Sequence, residues 1–292
     1  MELPYLTFRA RVRALHRLSP SFLRVTFAGA DLSRFADHGR DQRIKIIFPA
    51  PAGGFAHLPE GADWYTRWRE LPDERRPPLR TYTVRAVRRA VGEVDVDVVL
   101  HGDGGPAARW ANRAAVGDDL RLLGPNADYL GDSGGVEFRP HHAGGPLLLA
   151  GDETAAPAIA SILAGLPAEA RGEALLEVPH TADALRLAAP AGVRVTWLAR
   201  DGAAHGSRLV PAVAAAAARL APAPRPAPAG DLDDDDDLWE VPEHPEAGVY
   251  AWLAGEAGVI RTLRRHLVAE RGWDRRTVAF MGYWRMGRAE PT

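Results

Sequence analysis

The chain has no cysteine. That absence excludes disulfides and any thiolate-held iron–sulfur cluster, so an electron carrier here has to be a bound organic cofactor. Lysine is almost missing too. Of 36 basic residues only Lys45 is a lysine, which reads as compositional bias. No apolar run approaches the roughly 18 residues that span a bilayer, and the start of the chain shows no basic stretch leading into an apolar one. Together these predict a soluble cytoplasmic protein with no membrane contact. An excess of one charge is also lacking, since the formal net charge is −2. Six of the negative charges sit in Asp231 and Asp233 to Asp237, and without them the remainder carries +4. That is too little for the basic stripe of a nucleic-acid binder.

What is present divides in two. At 292 residues the chain can form two domains, each with its own core, although one remains possible. Residues Arg9 to Leu15 and Phe22 to Phe27 alternate apolar and polar around Leu18-Ser19-Pro20-Ser21, the pattern of a hairpin. Gln42 to Phe48 reads as a strand stopped by Pro49 and Pro51. Further strands are expected at Leu79 to Val84, Glu93 to Leu100 and Gly117 to Gly124. Short strands with frequent turns predict an antiparallel β-barrel. Trp64, Tyr65 and Trp68, inside a polar insertion from Gly53 to Pro78, are read as a small packed cluster in preference to ligand contacts.

From Pro146 the pattern changes to strand followed by helix. Leu147 to Ala150 is a continuous apolar run, as a parallel strand buried on both faces requires. Strands are expected at 174–178, 193–198, 249–253 and 277–281, with helices at 155–163, 209–220 and 260–270. An open parallel α/β sheet follows. The boundary is placed at residue 142, giving domains 1–142 and 143–292. Residues 222–238, rich in proline and alanine and then in aspartate, read as a disordered acidic excursion rather than a metal site; no metal ligands are assigned.

Two stretches carry chemistry. Arg80, Tyr82 and Val84 share one face of a strand, and Thr81, Thr83 and Arg85 share the other. A cation, a phenol and hydroxyls at that spacing suit a planar, phosphorylated ligand, the alternative being an ordinary barrel strand with one ion pair. Seventeen residues on comes His101-Gly102-Asp103-Gly104-Gly105-Pro106-Ala107-Ala108-Arg109-Trp110. Its Pro106 suits a first helical residue, and a helix starting there aims the N–H groups of Ala107 and Ala108 at an anion.

These two stretches, with Gly151-Asp152-Glu153-Thr154, Ala254-Gly255-Glu256 and Gly282-Tyr283-Trp284-Arg285 following in order, resemble the siderophore-interacting protein family. That family is a branch of the ferredoxin-reductase superfamily, and the resemblance covers nearly the whole chain. It implies a ferredoxin-reductase-type barrel binding FAD and an α/β domain like those that bind NAD(P)H. It implies Arg80 on the pyrophosphate, and Tyr82 and Thr83 on the flavin and ribityl chain, with Thr81 beside them. Val99 and His101 would run along the isoalloxazine edge, and Gly102, Gly105, Ala107 and Ala108 would hold the pyrophosphate. No catalytic residue is assigned, because hydride transfer to a flavin needs no protein base.

Other positions stay open between two readings. Thr154 either caps a helix or meets the flavin. Two carboxylates, Asp152 and Glu153, stand where related reductases have small residues, and beside a pyrophosphate they are unfavourable unless they point away. Arg200 reads equally as a ribose-phosphate contact or as a surface loop residue. Trp284 either covers the flavin or simply packs. Arg261, Arg264 and Arg265 are either a docking face for an anionic substrate or a solvated helix face.

The resemblance implies a cytoplasmic, FAD-dependent reductase that takes hydride from NADPH or NADH and reduces ferric siderophores. The rivals are an NAD(P)H:flavin reductase or diaphorase, and a siderophore-binding protein whose FAD is structural. A monomer is the working expectation.

Overall fold

In the computed structural model the described residues are 2–100, 105–140, 145–221, 238–242 and 248–288. The chain forms two compact units, one ending at Val136 and the other running from Glu137 to Arg288. The expected acidic excursion at 222–237 lies outside the described residues. Among the described residues no helix is long and apolar enough to cross a membrane.

The first unit is built on six strands: β1 (Tyr5–Arg17), β2 (Phe22–Ala28), β3 (Arg43–Ile47), β4 (Leu79–Arg88), β5 (Glu93–Val99) and β6 (Asp119–Pro125). They close in the order β1-β2-β5-β4-β3-β6, every pair antiparallel. Alternation decides which side chains enter. Phe8 and Ala10 lie opposite Leu122 and Leu120, and all four are buried with Val25, Phe27, Ile44, Ile46, Val94, Val96 and Val98 in one core. Phe35 packs at 5.2 Å from Phe8. It needs Gly124, since a Cβ there would stand 2.2 Å from the Phe35 ring.

The outer face of β5 carries acids where a barrel exterior would otherwise meet water. Arg24 forks onto Asp97 at 2.7 and 2.8 Å, and Arg88 forks onto Asp95 at 2.7 Å for both contacts. Thr26 donates a third hydrogen bond to Asp95 at 2.7 Å. Burial alone would raise the Asp95 carboxyl, but the hydrogen bonds from Arg88 and Thr26 hold it below the usual range.

The insertion between β3 and β4 covers the outside of the barrel. Helix α1 (Trp64–Arg69) buries Trp68 against Ile47, Leu79 and Leu123, and its indole N–H donates to Pro77 O at 2.9 Å. Tyr65 stacks on Trp68 with centroids 5.6 Å apart, so the aromatic spacing in the sequence is a packed cluster. Helix α2 (Pro106–Ala111) docks through Trp110, which stacks on Phe27, packs tilted against Phe48 and donates to Asp118 at 3.1 Å.

The second unit is a six-stranded sheet of β7 (Leu147–Gly151), β8 (Arg171–Val178), β9 (Gly192–Ala199), β10 (Trp239–Glu240), β11 (Tyr250–Glu256) and β12 (Val278–Trp284). Their order is β10-β12-β11-β7-β8-β9. Every residue of β7 and of β11 is buried, as expected of central strands between helices α3 (Ala156–Gly165), α4 (Leu209–Leu220) and α5 (Ala257–Arg264). The sheet departs from the expected all-parallel form at one edge, where β10 runs antiparallel to β12. Two residues are too short a strand to show alternation. The last helix also differs: its α-helical part ends at Arg264, and Arg265–Glu270 continue as a π-helix.

Because Asp95 is held below its ordinary value, its contribution to stability is present above about pH 4 and is lost as pH falls below that. Asp95→Asn should lower stability at pH 7 by about 2 kcal/mol, the scale of hydrogen bonds to a charged partner. The difference from the parent protein should shrink as unfolding is measured from pH 5 down to pH 3.

Candidate functional site

Each unit contributes its own set of residues. In the barrel, Arg80 and Tyr82 stand opposite Ile46 and Ile44 in the β3–β4 ladder, so they share the face those core residues occupy. Tyr82 is half-buried against the core cluster that also holds Val84, Ala107 and Trp110. This shared packing brings β4 and the start of α2 together. Arg80 is half-buried and donates to Leu79 O at 2.7 Å. On the other face Thr81 accepts a hydrogen bond from Lys45 Nζ at 2.5 Å, and Thr83 is buried opposite Arg43.

Helix α2 begins as its sequence predicts. Gly105 is extended, with φ −146°, and Pro106 opens the helix. The first N–H to reach an intrahelical carbonyl is that of Arg109, on Gly105 O at 3.0 Å. The N–H groups of Ala107 and Ala108 therefore precede the helical ladder, as first-turn donors do. A Cβ built at Gly105 meets no protein atom within 4 Å, so the backbone there is open. Val99 ends β5 opposite Phe22. His101 and Gly102 lie outside the described residues. A guanidinium, a phenol and first-turn N–H groups that lie outside the helical ladder fit a cofactor that joins a phosphate to an aromatic ring.

In the second unit the residues converge on Asp152, at the carboxyl end of β7. Its Oδ1 accepts from the N–H and hydroxyl of Thr154, at 2.9 and 2.5 Å. Its Oδ2 accepts from the N–H of Glu256 and from the Trp284 indole N–H, both at 2.8 Å. Burial, and next the neighbouring Glu153 carboxylate, push the Asp152 carboxyl up; the bonds from Thr154 and Trp284 oppose them. The Trp284 ring stands edge-on to His205, with centroids 5.0 Å apart. Asp152, Glu153 and His205 place ligand atoms within 4.8 Å of one another. Both carboxylates already serve other donors.

Several expected roles change here. Thr154 does not cap α3, whose N-cap is Ala155 with no side-chain cap; Asp152 instead organises the turn before it, taking the Thr154 N–H on its side chain and those of Ala155 and Ala156 on its main-chain oxygen. Arg200 is not a free loop cation. It is 7 % exposed and forks onto Glu153 at 2.7 and 2.8 Å, with Glu177 at 3.4 Å. Arg264 is no part of a solvent-facing basic patch, because it is buried and paired with Glu240 of β10 at 2.7 Å. Arg265 is exposed and Arg261 half-buried. Trp284 is held by Asp152 through its N–H. The Asp152 hub went unread because its partners are 2, 104 and 132 residues away. The only signal for it was a pair of carboxylates where small residues were expected.

Residues 11–129 match the siderophore-interacting FAD-binding domain, and residues 146–287 match the siderophore-interacting protein domain. The chain belongs to the siderophore-interacting protein family, and its barrel is that family's FAD-binding domain. It is 31 % identical over 274 residues to the ferric vibriobactin reductase ViuB of Vibrio cholerae, covering 94 % of this chain and 87 % of that one. It is 28 % identical over 279 residues to the NADPH-dependent ferric-chelate reductase of Escherichia coli, covering 94 % and 91 %. The crystal structure of a siderophore utilization protein from T. fusca superposes with a TM-score of 0.74 at 30 % identity, covering 100 % and 97 %.

Arg80→Ala removes the one guanidinium of the Arg80–Thr83 strand segment. A charge-assisted phosphate contact of about 1.5–3 kcal/mol corresponds to an FAD affinity weaker by about 10- to 100-fold. The protein should purify with little flavin absorbance; full occupancy would remove Arg80 from the site.

Proposed function

We propose that the chain is a cytoplasmic reductase that uses FAD to take hydride from NAD(P)H and pass electrons one at a time to a ferric siderophore, releasing iron(II). The observation that carries this reading is the Arg80–Tyr82 face of β4 packed on the same core as the open start of α2, inside a domain that matches an FAD-binding family. Two named relatives, a ferric vibriobactin reductase and a ferric-chelate reductase, supply the substrate class.

The chemistry makes the pairing intelligible. Hard oxygen donors hold iron(III) and release iron(II), so one electron opens the chelate. Bound FAD supplies the conversion from a two-electron donor to a one-electron acceptor. The residues of this chain then have three tasks. Arg80 and the N–H groups of Ala107 and Ala108 neutralise and orient the pyrophosphate. Tyr82 and Thr83 place the ring system and ribityl chain. Arg261 and Arg265, four residues apart, share one side of the last helix and attract an anionic chelate, with Arg264 committed to Glu240.

The test is anaerobic spectroscopy of the purified yellow protein. NADH or NADPH should bleach the flavin, and a ferric chelate should restore its colour. Bleaching followed by reoxidation only with free flavin or oxygen would favour a flavin reductase, and no bleaching would favour a structural FAD. In the double variant Arg261→Gln, Arg265→Gln, KM for an anionic ferric chelate should rise about five- to tenfold, since each surface charge is worth at most about 1 kcal/mol. The effect should fade at high salt and for a neutral chelate. Equal loss for both chelates would place substrate recognition elsewhere.

A further inference from the structure

The chain builds β8 and β9 to one side of β7, then returns to build β11 and β12 on the other, so the strand order reverses between β7 and β11. In open α/β sheets the crevice past the carboxyl ends of the strands at such a reversal is where ligands lie, and a dinucleotide sets its pyrophosphate on the N-terminus of the first helix. Here that crevice is filled by the chain itself. Asp152, at the end of β7, bonds across it to the N–H of Glu256 at the end of β11. Gly255 follows the same closure. A Cβ added there would lie 2.7 Å from Asp152 Oδ2. The space among Asp152, His205, Gly255, Glu256 and Val259 is too tight for a water molecule.

Of the donors a pyrophosphate would use at the start of α3, those nearest the strand end are also taken, and Ala158, whose N–H precedes the helical ladder, is fully buried. The Thr154 N–H goes to the Asp152 carboxylate, and those of Ala155 and Ala156 go to Asp152 O at 3.0 and 3.1 Å. Pro157 has none to offer. A carboxylate in that position repels a second anion besides occupying its donors. Next to it, at the end of β9, stands the cation that in this architecture accommodates a 2′-phosphate on the adenosine ribose. Arg200 is that cation, and Glu153 and Glu177 hold it buried.

We propose that this edge of the sheet is closed to the phosphates of a nicotinamide dinucleotide, and that Glu153, by holding Arg200, removes any preference for a 2′-phosphate. The electron donor is then recognised through its nicotinamide end, and NADH and NADPH serve alike. This rests on the reading of the chain as a nicotinamide-oxidising reductase. Glu153 acts as a specificity-determining residue through Arg200, without touching the reacting atoms.

The test uses the FAD-loaded protein. In calorimetric titration neither 5′-AMP nor 2′,5′-ADP should bind more tightly than about 1 mM. In steady-state assays kcat/KM for NADH and NADPH should agree within about threefold, and reduced nicotinamide mononucleotide should reach at least about one-tenth of the NADH value. Glu153→Gln releases one side of Arg200 and should tighten 2′,5′-ADP binding at least about fivefold without changing 5′-AMP binding. Tenfold or tighter binding of 2′,5′-ADP over 5′-AMP by the parent protein, or an NADPH preference that Arg200→Met abolishes, would overturn the proposal. So would inert reduced nicotinamide mononucleotide beside rapid NADH oxidation. If no nicotinamide is oxidised, the reductase reading falls, while the titrations still decide whether the crevice is closed. Should Glu153→Gln not fold, the parent titrations decide alone.

Discussion

A buried carboxylate has to be answered by donors, and in the second unit Asp152 is where that requirement organises the structure. One side chain ties the end of β7 to Thr154 in the turn before α3, to the N–H of Glu256 at the end of β11 and to the indole of Trp284 at the end of β12. Three strand ends that meet only through their ladders are thereby pinned at their functional edge. The cost of desolvating the group is offset by four donors from three residues. Glu153 and Glu177 extend the pattern. Glu153 forks with Arg200, and Glu177 takes the N–H groups of Gly206, Arg208 and Leu209, so the loop leading into α4 is organised by acidic side chains as well.

The same constraint is met differently in the barrel, where Asp95 and Asp97 lie on the outer face and are answered by arginines from the neighbouring strands β2 and β4. Arginine suits this because its planar fork matches a carboxylate with two hydrogen bonds at once, which a lysine ammonium cannot do. A chain whose cations are nearly all arginine can hold acidic residues in strands without leaving them unpaired. The arginine bias thus has a structural use, though composition alone did not reveal it. Arg80 differs in that its guanidinium donates to a backbone carbonyl, that of Leu79, where Arg24 and Arg88 fork onto carboxylates.

Much of the fold was legible because it depends on local periodicity. Phe8, Ala10 and Val12 alternate inward along β1, and Leu147 to Gly151 is apolar throughout because both faces are covered. Strand β10 was not legible, since two residues have no period and its pairing comes entirely from β12. The shift of the last helix into π-helical geometry at Arg265 was likewise unmarked in the residue pattern. Aromatic spacing at Trp64, Tyr65 and Trp68 announced a cluster, while the barrel surface it covers, Ile47, Leu79 and Leu123, came from three separate strands.

For the site, the sequence alone determined the chemistry of the barrel face. The Arg80–Tyr82 spacing and the Gly105-Pro106 helix start are local, so a cation, a phenol and a helix N-terminus follow from neighbouring residues. Only the tertiary structure decided how the charges of the second unit pair. Arg200 meets Glu153 across 47 positions of sequence, and Arg264 meets Glu240 across an intervening strand. A charge shows its type in the sequence, but whether it faces a ligand or is spent on a partner depends on what the fold brings within about 3 Å, the range of a hydrogen bond.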